Sequence, residues 1–95
     1  EIARVDGVDA LFVGRGDLAA AMEENSSEAP AVRAASERIA KAGRAAGKPV
    51  WFFVGSLADA AAMRDIGGSC FIYMSDQGLM RQAAAKALVD LKTLK

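Results

Sequence analysis

With 95 residues, 53% of them hydrophobic, the chain has material for one small core and too little for a second domain. Twelve basic side chains balance twelve acidic ones, so no net field draws the molecule to nucleic acid or to an anionic membrane, and any bound anion must be held by local groups. A lone cysteine excludes an internal disulfide framework and suits a reducing cytoplasm, and no apolar run approaches the roughly 20 residues of a membrane helix.

The chain opens on Glu1 where an initiator methionine is expected, with no charged leader and cleavage site. This suggests a fragment of a larger catalytic unit. Three hydrophobic runs, Ala10 to Val13, Val50 to Val54 and Cys70 to Met74, are continuous where a half-exposed strand would alternate. They read as parallel strands covered on both faces. Each follows glycine, at Gly7, Gly47 and the pair Gly67-Gly68, where a helix closes in a left-handed cap before the chain turns into a strand. After the first strand a short helix is expected over Leu18 to Met22, followed by a polar loop, Glu23 to Pro30. From Ala31 to Ala46 the residues Val32, Ala35, Ile39, Ala42 and Ala46 share a stripe opposite Arg33, Glu37, Lys41 and Arg44, with Glu37 and Lys41 spaced for a helical ion pair.

A further helix is expected from Leu57 to Ile66, with Ser56 as N-cap and Asp59 completing a capping box. The last runs from Gln77 to Leu94, capped by Ser75 or Asp76, with Met80, Ala84, Ala87, Leu88 and Leu91 as its apolar face. The order is α/β, a parallel βαβαβα segment. Right-handed βα winding makes it either an open doubly wound sheet or an arc of a closed barrel. A (β/α)8 TIM barrel takes eight such units in roughly 250 residues, so residues 1–95 would be about three-eighths of one. Cys70, inside an apolar run, reads as a buried small hydrophobe. Trp51-Phe52-Phe53 reads as core and subunit contact in place of a cofactor box.

In parallel α/β proteins ligands gather at the carboxyl ends of the strands. Here those ends are Gly14-Arg15-Gly16-Asp17, Gly55-Ser56 and Ser75-Asp76-Gln77-Gly78, and all are expected on one rim. The first is the most informative. Its glycines let backbone approach a small carboxylate, and the following helix start offers N–H groups. Asp17 beside such an anion is either a divalent-cation ligand or the N-cap of the short helix.

The run Glu1-Ile2-Ala3-Arg4-Val5-Asp6-Gly7-Val8-Asp9-Ala10-Leu11-Phe12-Val13-Gly14-Arg15-Gly16-Asp17-Leu18-Ala19 resembles the conserved segment of the HpcH/HpaI aldolase family, the class II pyruvate and 2-keto-3-deoxy-sugar-acid aldolases. Ala45 to Pro49 before the second strand, and Ile66-Gly67 before a strand ending in Ser75-Asp76, are similar to that family's last two βα units. The resemblance implies the C-terminal three βα units of a TIM barrel, and a lyase that cleaves 2-keto-acid aldols to release pyruvate through a metal-stabilised enolate. It implies Mg²⁺ or Mn²⁺ held by Asp17 and by a glutamate from a preceding strand, with substrate carboxylate bound at Gly14, Arg15, Gly16 and Asp17. No Schiff-base lysine is then needed. Lys41, Lys86, Lys92 and Lys95 are expected on helices, and Lys48 at the opposite end of its strand.

Two departures stand out. Arg15 occupies a position where the family commonly has proline, leaving it either to help bind substrate or to point into solvent. The family's catalytic histidine, its carboxylate-binding arginine and its glutamate ligand belong to segments N-terminal to Glu1, so no catalytic residue is assigned here. The 95 residues alone are expected to be inactive. A cytoplasmic homo-oligomer acting on a small-molecule 2-keto acid is the expectation, with no nucleic-acid or membrane partner. The alternative is a non-catalytic carboxylate- or phosphate-binding or assembly module. Arg15-Gly16-Asp17 also spells an integrin tripeptide, but it follows a buried strand in a chain with no secretory signature.

Overall fold

The computed structural model describes residues 1–94. The expectation for Lys95 lies outside them. A 3-10 turn, Ile2–Arg4, precedes strand β1, Leu11–Val13; helices α1, Arg15–Ala21, and α2, Pro30–Ala45, lead to β2, Val50–Val54. Helix α3, Leu57–Asp65, strand β3, Cys70–Tyr73, and helix α4, Asp76–Lys92, complete the order. The sheet runs β1-β2-β3, and both pairings are parallel, with Phe12 beside Trp51 and Phe53 beside Ile72. The three strands therefore deliver their carboxyl ends to one rim, as expected from the sequence.

The glycine-before-strand pattern holds physically. Gly7, Gly47 and Gly67 have φ of +88°, +67° and +113°, a region a side chain enters only with strain. Ser56 caps α3 by accepting the Asp59 N–H at 3.1 Å, and Ser75 caps α4 by accepting the Gly78 N–H at 3.0 Å.

The core is one-sided, which corrects the reading of strands covered on both faces. Val50, Phe52 and Val54 are 0% exposed and pack with Val13, Ala40, Met63 and Ile66 beneath the helices. The intervening Trp51 and Phe53 are 37% and 45% exposed, and Phe12 and Ile72 share their bare face. A run of apolar residues announces that both faces avoid water. It does not say that the same stretch of chain covers both.

Helix α2 keeps most of the predicted stripe: Val32 and Ala35 are buried and Ile39 packs against the core. Ser36, Ala40 and Gly43 are buried beside them, whereas Ala42 is exposed. A Cβ on Gly43 would run into the Val50 side chain, so the helix lies against the sheet at a separation that glycine alone allows. Buried Ser36 satisfies its hydroxyl by donating to the Val32 carbonyl at 2.8 Å. The Glu37–Lys41 pair is absent among the described residues, where the i,i+4 pair formed is Lys86–Asp90 at 2.7 Å. Exposed pairs of this kind gain little against side-chain entropy.

Helix α4 buries none of its residues, and its predicted apolar face, including Met80, Leu88 and Leu91, is exposed. The chain accordingly extends 61 × 28 × 21 Å with a radius of gyration of 16.6 Å, against about 12 Å for a compact domain of this length. No helix among the described residues is long and apolar enough to cross a membrane.

Candidate functional site

The rim is built around the turn from β1 into α1. The helix begins at Arg15, not Leu18, because its first helical bond already runs from the Leu18 N–H to the Gly14 carbonyl at 2.9 Å. The N–H groups of Arg15, Gly16 and Asp17 precede that bond and are free of intrahelical partners. Gly14 is the cap residue and no side chain caps α1, so the N-cap reading of Asp17 is overturned. Asp17 is the third residue of the helix, in its first turn, exposed, with its carboxylate folded back toward the helix start. A Cβ on Gly14 would sit 3.1 Å from Asp17 Oδ2, while beside Gly16 there is open space. Asp17 lines a cleft of about 340 Å³ together with Phe12, Gly14, Arg15, Gly16, Ser27 and Phe53.

Arg15 does not point into solvent. Its side chain is 12% exposed and reaches across the end of β2. Nη1 and Nη2 donate to Asp59 Oδ1 and Oδ2 at 2.9 and 2.7 Å, and Nη2 also donates to the Phe53 carbonyl at 2.7 Å. Asp59 takes a third donor, the Gly55 N–H, at 3.1 Å. The expected capping box is thus half formed. Ser56 caps Asp59, but the Asp59 carboxylate turns to Gly55 and Arg15. A second cleft of about 280 Å³ includes Asp59, Ser56, Glu28 and Arg33, and Arg15 and Ser27 border both clefts.

The hydrogen bonds from the Arg15 guanidinium hold the Asp59 carboxyl below the usual carboxylate range, against the opposing push of burial and with help from the Gly55 N–H. A depressed folded value means that this contribution to stability is full above the unfolded carboxylate value of about 3.9 and is lost as pH falls through the lower folded value. In this protein, Asp59→Asn is expected to give a shallower loss of stability on acidification below pH ~4. Urea titrations across that range check this, and equal slopes for the two proteins would contradict it.

Other expectations fare differently. Gly55-Ser56 and Ser75-Asp76 fall on the same rim as Asp17, although the cleft beside Asp17 draws on Phe53 from β2 and on neither of those pairs. Met74, at the end of β3, has a φ of +57°, unusual for a residue with a side chain. Cys70 is half-buried at the start of β3, level with Trp51 on the bare face. Lys41, Lys86 and Lys92 lie on helices as expected, and Lys48 donates to the Val5 carbonyl at 3.1 Å. Among the described residues no group of three or more His, Cys, Asp or Glu side chains gathers as a metal site. In kind, the Asp17 carboxylate suits a hard divalent cation. In number, it is one ligand of a set.

The family model of HpcH/HpaI aldolase/citrate lyase matches residues 1–83. The chain belongs to this family. Among curated proteins it is 37% identical over 92 residues to the 5-keto-4-deoxy-D-glucarate aldolase of Enterobacter sp. (strain 638), a match covering 96% of this chain and 36% of that protein. It is 35% identical over 94 residues to the hydroxypyruvate/pyruvate aldolase of Paraburkholderia phytofirmans, covering 98% and 36%. Among solved structures it resembles an HpcH/HpaI aldolase/citrate lyase family protein from Burkholderia cenocepacia J2315, with a TM-score of 0.87 at 34% identity over 97% of this chain and 36% of the other. An HpcH/HpaI aldolase from Desulfitobacterium hafniense DCB-2 gives 0.84 at 25% identity, covering 99% and 37%.

The chain thus spans 36% of the length of these two curated relatives. Its three parallel strands and their helices are a partial segment of the TIM-barrel-like fold of these neighbours. That placement accounts for the bare sheet face. In a closed barrel, strand residues alternate between the helix layer and the packed interior, and Phe12, Trp51, Phe53 and Ile72 occupy the interior positions.

Proposed function

We propose that residues 1–95 form the C-terminal three βα units of a divalent-metal aldolase that cleaves 2-keto-acid aldols and releases pyruvate. The single observation that carries this reading is the β1–α1 turn. Asp17 is an exposed carboxylate with no capping duty, set beside N–H groups that have no helical partner, on the carboxyl rim where barrel enzymes keep their chemistry. The names of the relatives point the same way, one to a keto-deoxy-sugar acid and another to hydroxypyruvate and pyruvate.

In this reading Asp17 holds Mg²⁺ or Mn²⁺ together with a ligand from elsewhere in the barrel. Such a cation polarises a keto oxygen as a Lewis acid when bound. The chain's own groups bind and orient. The amides of Gly16 and Asp17 receive the substrate carboxylate, Gly14 leaves room for the Asp17 carboxylate to fold back over the turn, and Arg15 walls the cleft. Phe12 and Phe53 give the same cleft an apolar wall. A homo-oligomer in the cytoplasm belongs to the same reading, supported by the exposed apolar side chains of α4 and by the lone cysteine.

The test is metal dependence. Full-length protein treated with a chelator is expected to lose pyruvate release from 2-keto-acid aldols and to regain it with Mg²⁺ or Mn²⁺. The 95 residues alone, with one carboxylate ligand, are expected to bind either ion weakly and to turn over negligibly. Pyruvate release that survives chelation would refute the reading.

A further inference from the structure

Helix α1 is too short to set its own direction. It has seven residues and one buried side chain, Ala19, and a helix of that length is not stable alone. Yet Asp17, on its first turn, must be held in one place if it is to serve as a ligand. The structure supplies one strong long-range tether to this turn. The Arg15 guanidinium grips both oxygens of Asp59, 44 residues away, and the Phe53 carbonyl at the end of β2. Asp59 is fixed in turn by its place in the first turn of α3 and by the Gly55 N–H. The Arg15 side chain is 12% exposed and that of Asp59 21%, so water competes weakly for the pair. A bidentate guanidinium–carboxylate contact restrains orientation as well as distance.

We infer that Arg15 and Asp59 are a positioning pair, locking the first turn of α1 to the β2–α3 corner so that the Asp17 carboxylate points into its cleft. The pair acts through Asp17, and the inference rests on the site reading given above. Because Asp59 neutralises Arg15, the arginine is not a free cation for a substrate carboxylate. Its charge is spent on geometry.

A double-mutant cycle in the full-length protein tests this, using Arg15→Met, Asp59→Asn and the combined variant. The readouts are Mn²⁺ affinity by direct titration, kcat and KM for pyruvate release, and thermal midpoint. Each single variant is expected to weaken Mn²⁺ binding and lower kcat by about 10-fold, the low end of what is lost when a partner that orients a metal ligand is removed. The double variant should be no worse than either single one, because both remove the same tether. Additive losses, or a loss for Arg15→Met far larger than for Asp59→Asn, would mean that Arg15 touches substrate itself and would overturn the inference. A lowered thermal midpoint with unchanged Mn²⁺ affinity and kcat would reduce the pair to a structural role and overturn it equally.

Should either variant fail to fold, Arg15→Lys keeps the charge and loses the fork, and is expected to show the same two losses in smaller measure; unchanged Mn²⁺ affinity and kcat in Arg15→Lys would then overturn the inference. Asp17→Ala in the same assays separates the two levels of the argument. If it is silent, the site reading falls. If it abolishes binding while the pair variants are silent, the positioning role alone falls.

Discussion

Phe52→Ala is expected to destabilise the protein by about 3–5 kcal/mol, the range for emptying a fully buried aromatic position. Phe52 is 0% exposed and sits at the centre of the cluster formed by Val13, Ala40, Val50, Val54, Met63 and Ile66. Its ring lies so close to the chain at Gly68 that a Cβ there would be 2.8 Å from Phe52 Cδ2. The neighbour on that side therefore has no side chain with which to fill the space left behind. Backbone in two elements would have to move for the cavity to collapse, and the loss should fall near the upper part of the range. Against a total stability of about 5–15 kcal/mol, this is a large fraction. Urea unfolding should show the midpoint falling with an unchanged slope. A loss within about 0.5 kcal/mol, the size of an ordinary surface change, would mean that the core lies elsewhere.

The same residues show how much of the fold is legible in the sequence. Val50 to Val54 is legible as a strand because five apolar residues stand between Gly47-Lys48-Pro49 and Gly55-Ser56, and turn chemistry at both ends leaves only the strand between. The sidedness of that strand is not legible. Phe52 and Phe53 are chemically identical, and the difference between 0% and 45% exposure is decided by where α2 and α3 lie. The face of helix α2 was legible only in part. Val32 and Ala35 lie on the buried side as the stripe implies, but Ala40 and Gly43 are buried there too, and side chains that small add no hydrophobic signal.

At the rim, Asp17 is conspicuous in the sequence as a carboxylate beside two glycines. Its release from capping is not, because that depends on α1 starting at Arg15. The Arg15–Asp59 pair bridges 44 residues, and no local pattern announces it. The one hint was Asp59 three residues after Ser56, which reads as a local capping box until the arginine arrives. Phe53, which lines the cleft, is not legible as a cleft residue, since a strand aromatic carries no sign of which rim feature it will border.

In the proposed function Asp17 is a metal ligand on the rim and not a structural cap. Asp17→Ala in the full-length protein would remove the carboxylate charge that this segment brings to the cation. The expected cost in metal-dependent pyruvate release is at least about 10²-fold, typical of losing a key electrostatic stabiliser. A capping aspartate would behave otherwise, since its loss costs about 1 kcal/mol of stability and leaves chemistry largely intact. No side chain caps α1, so stability should hardly change. The decisive measurement is pyruvate release at saturating Mn²⁺ by wild type and Asp17→Ala, with urea unfolding of both proteins in parallel. A fall of about 10²-fold or more at equal stability is the predicted result, and an unchanged rate would contradict the account.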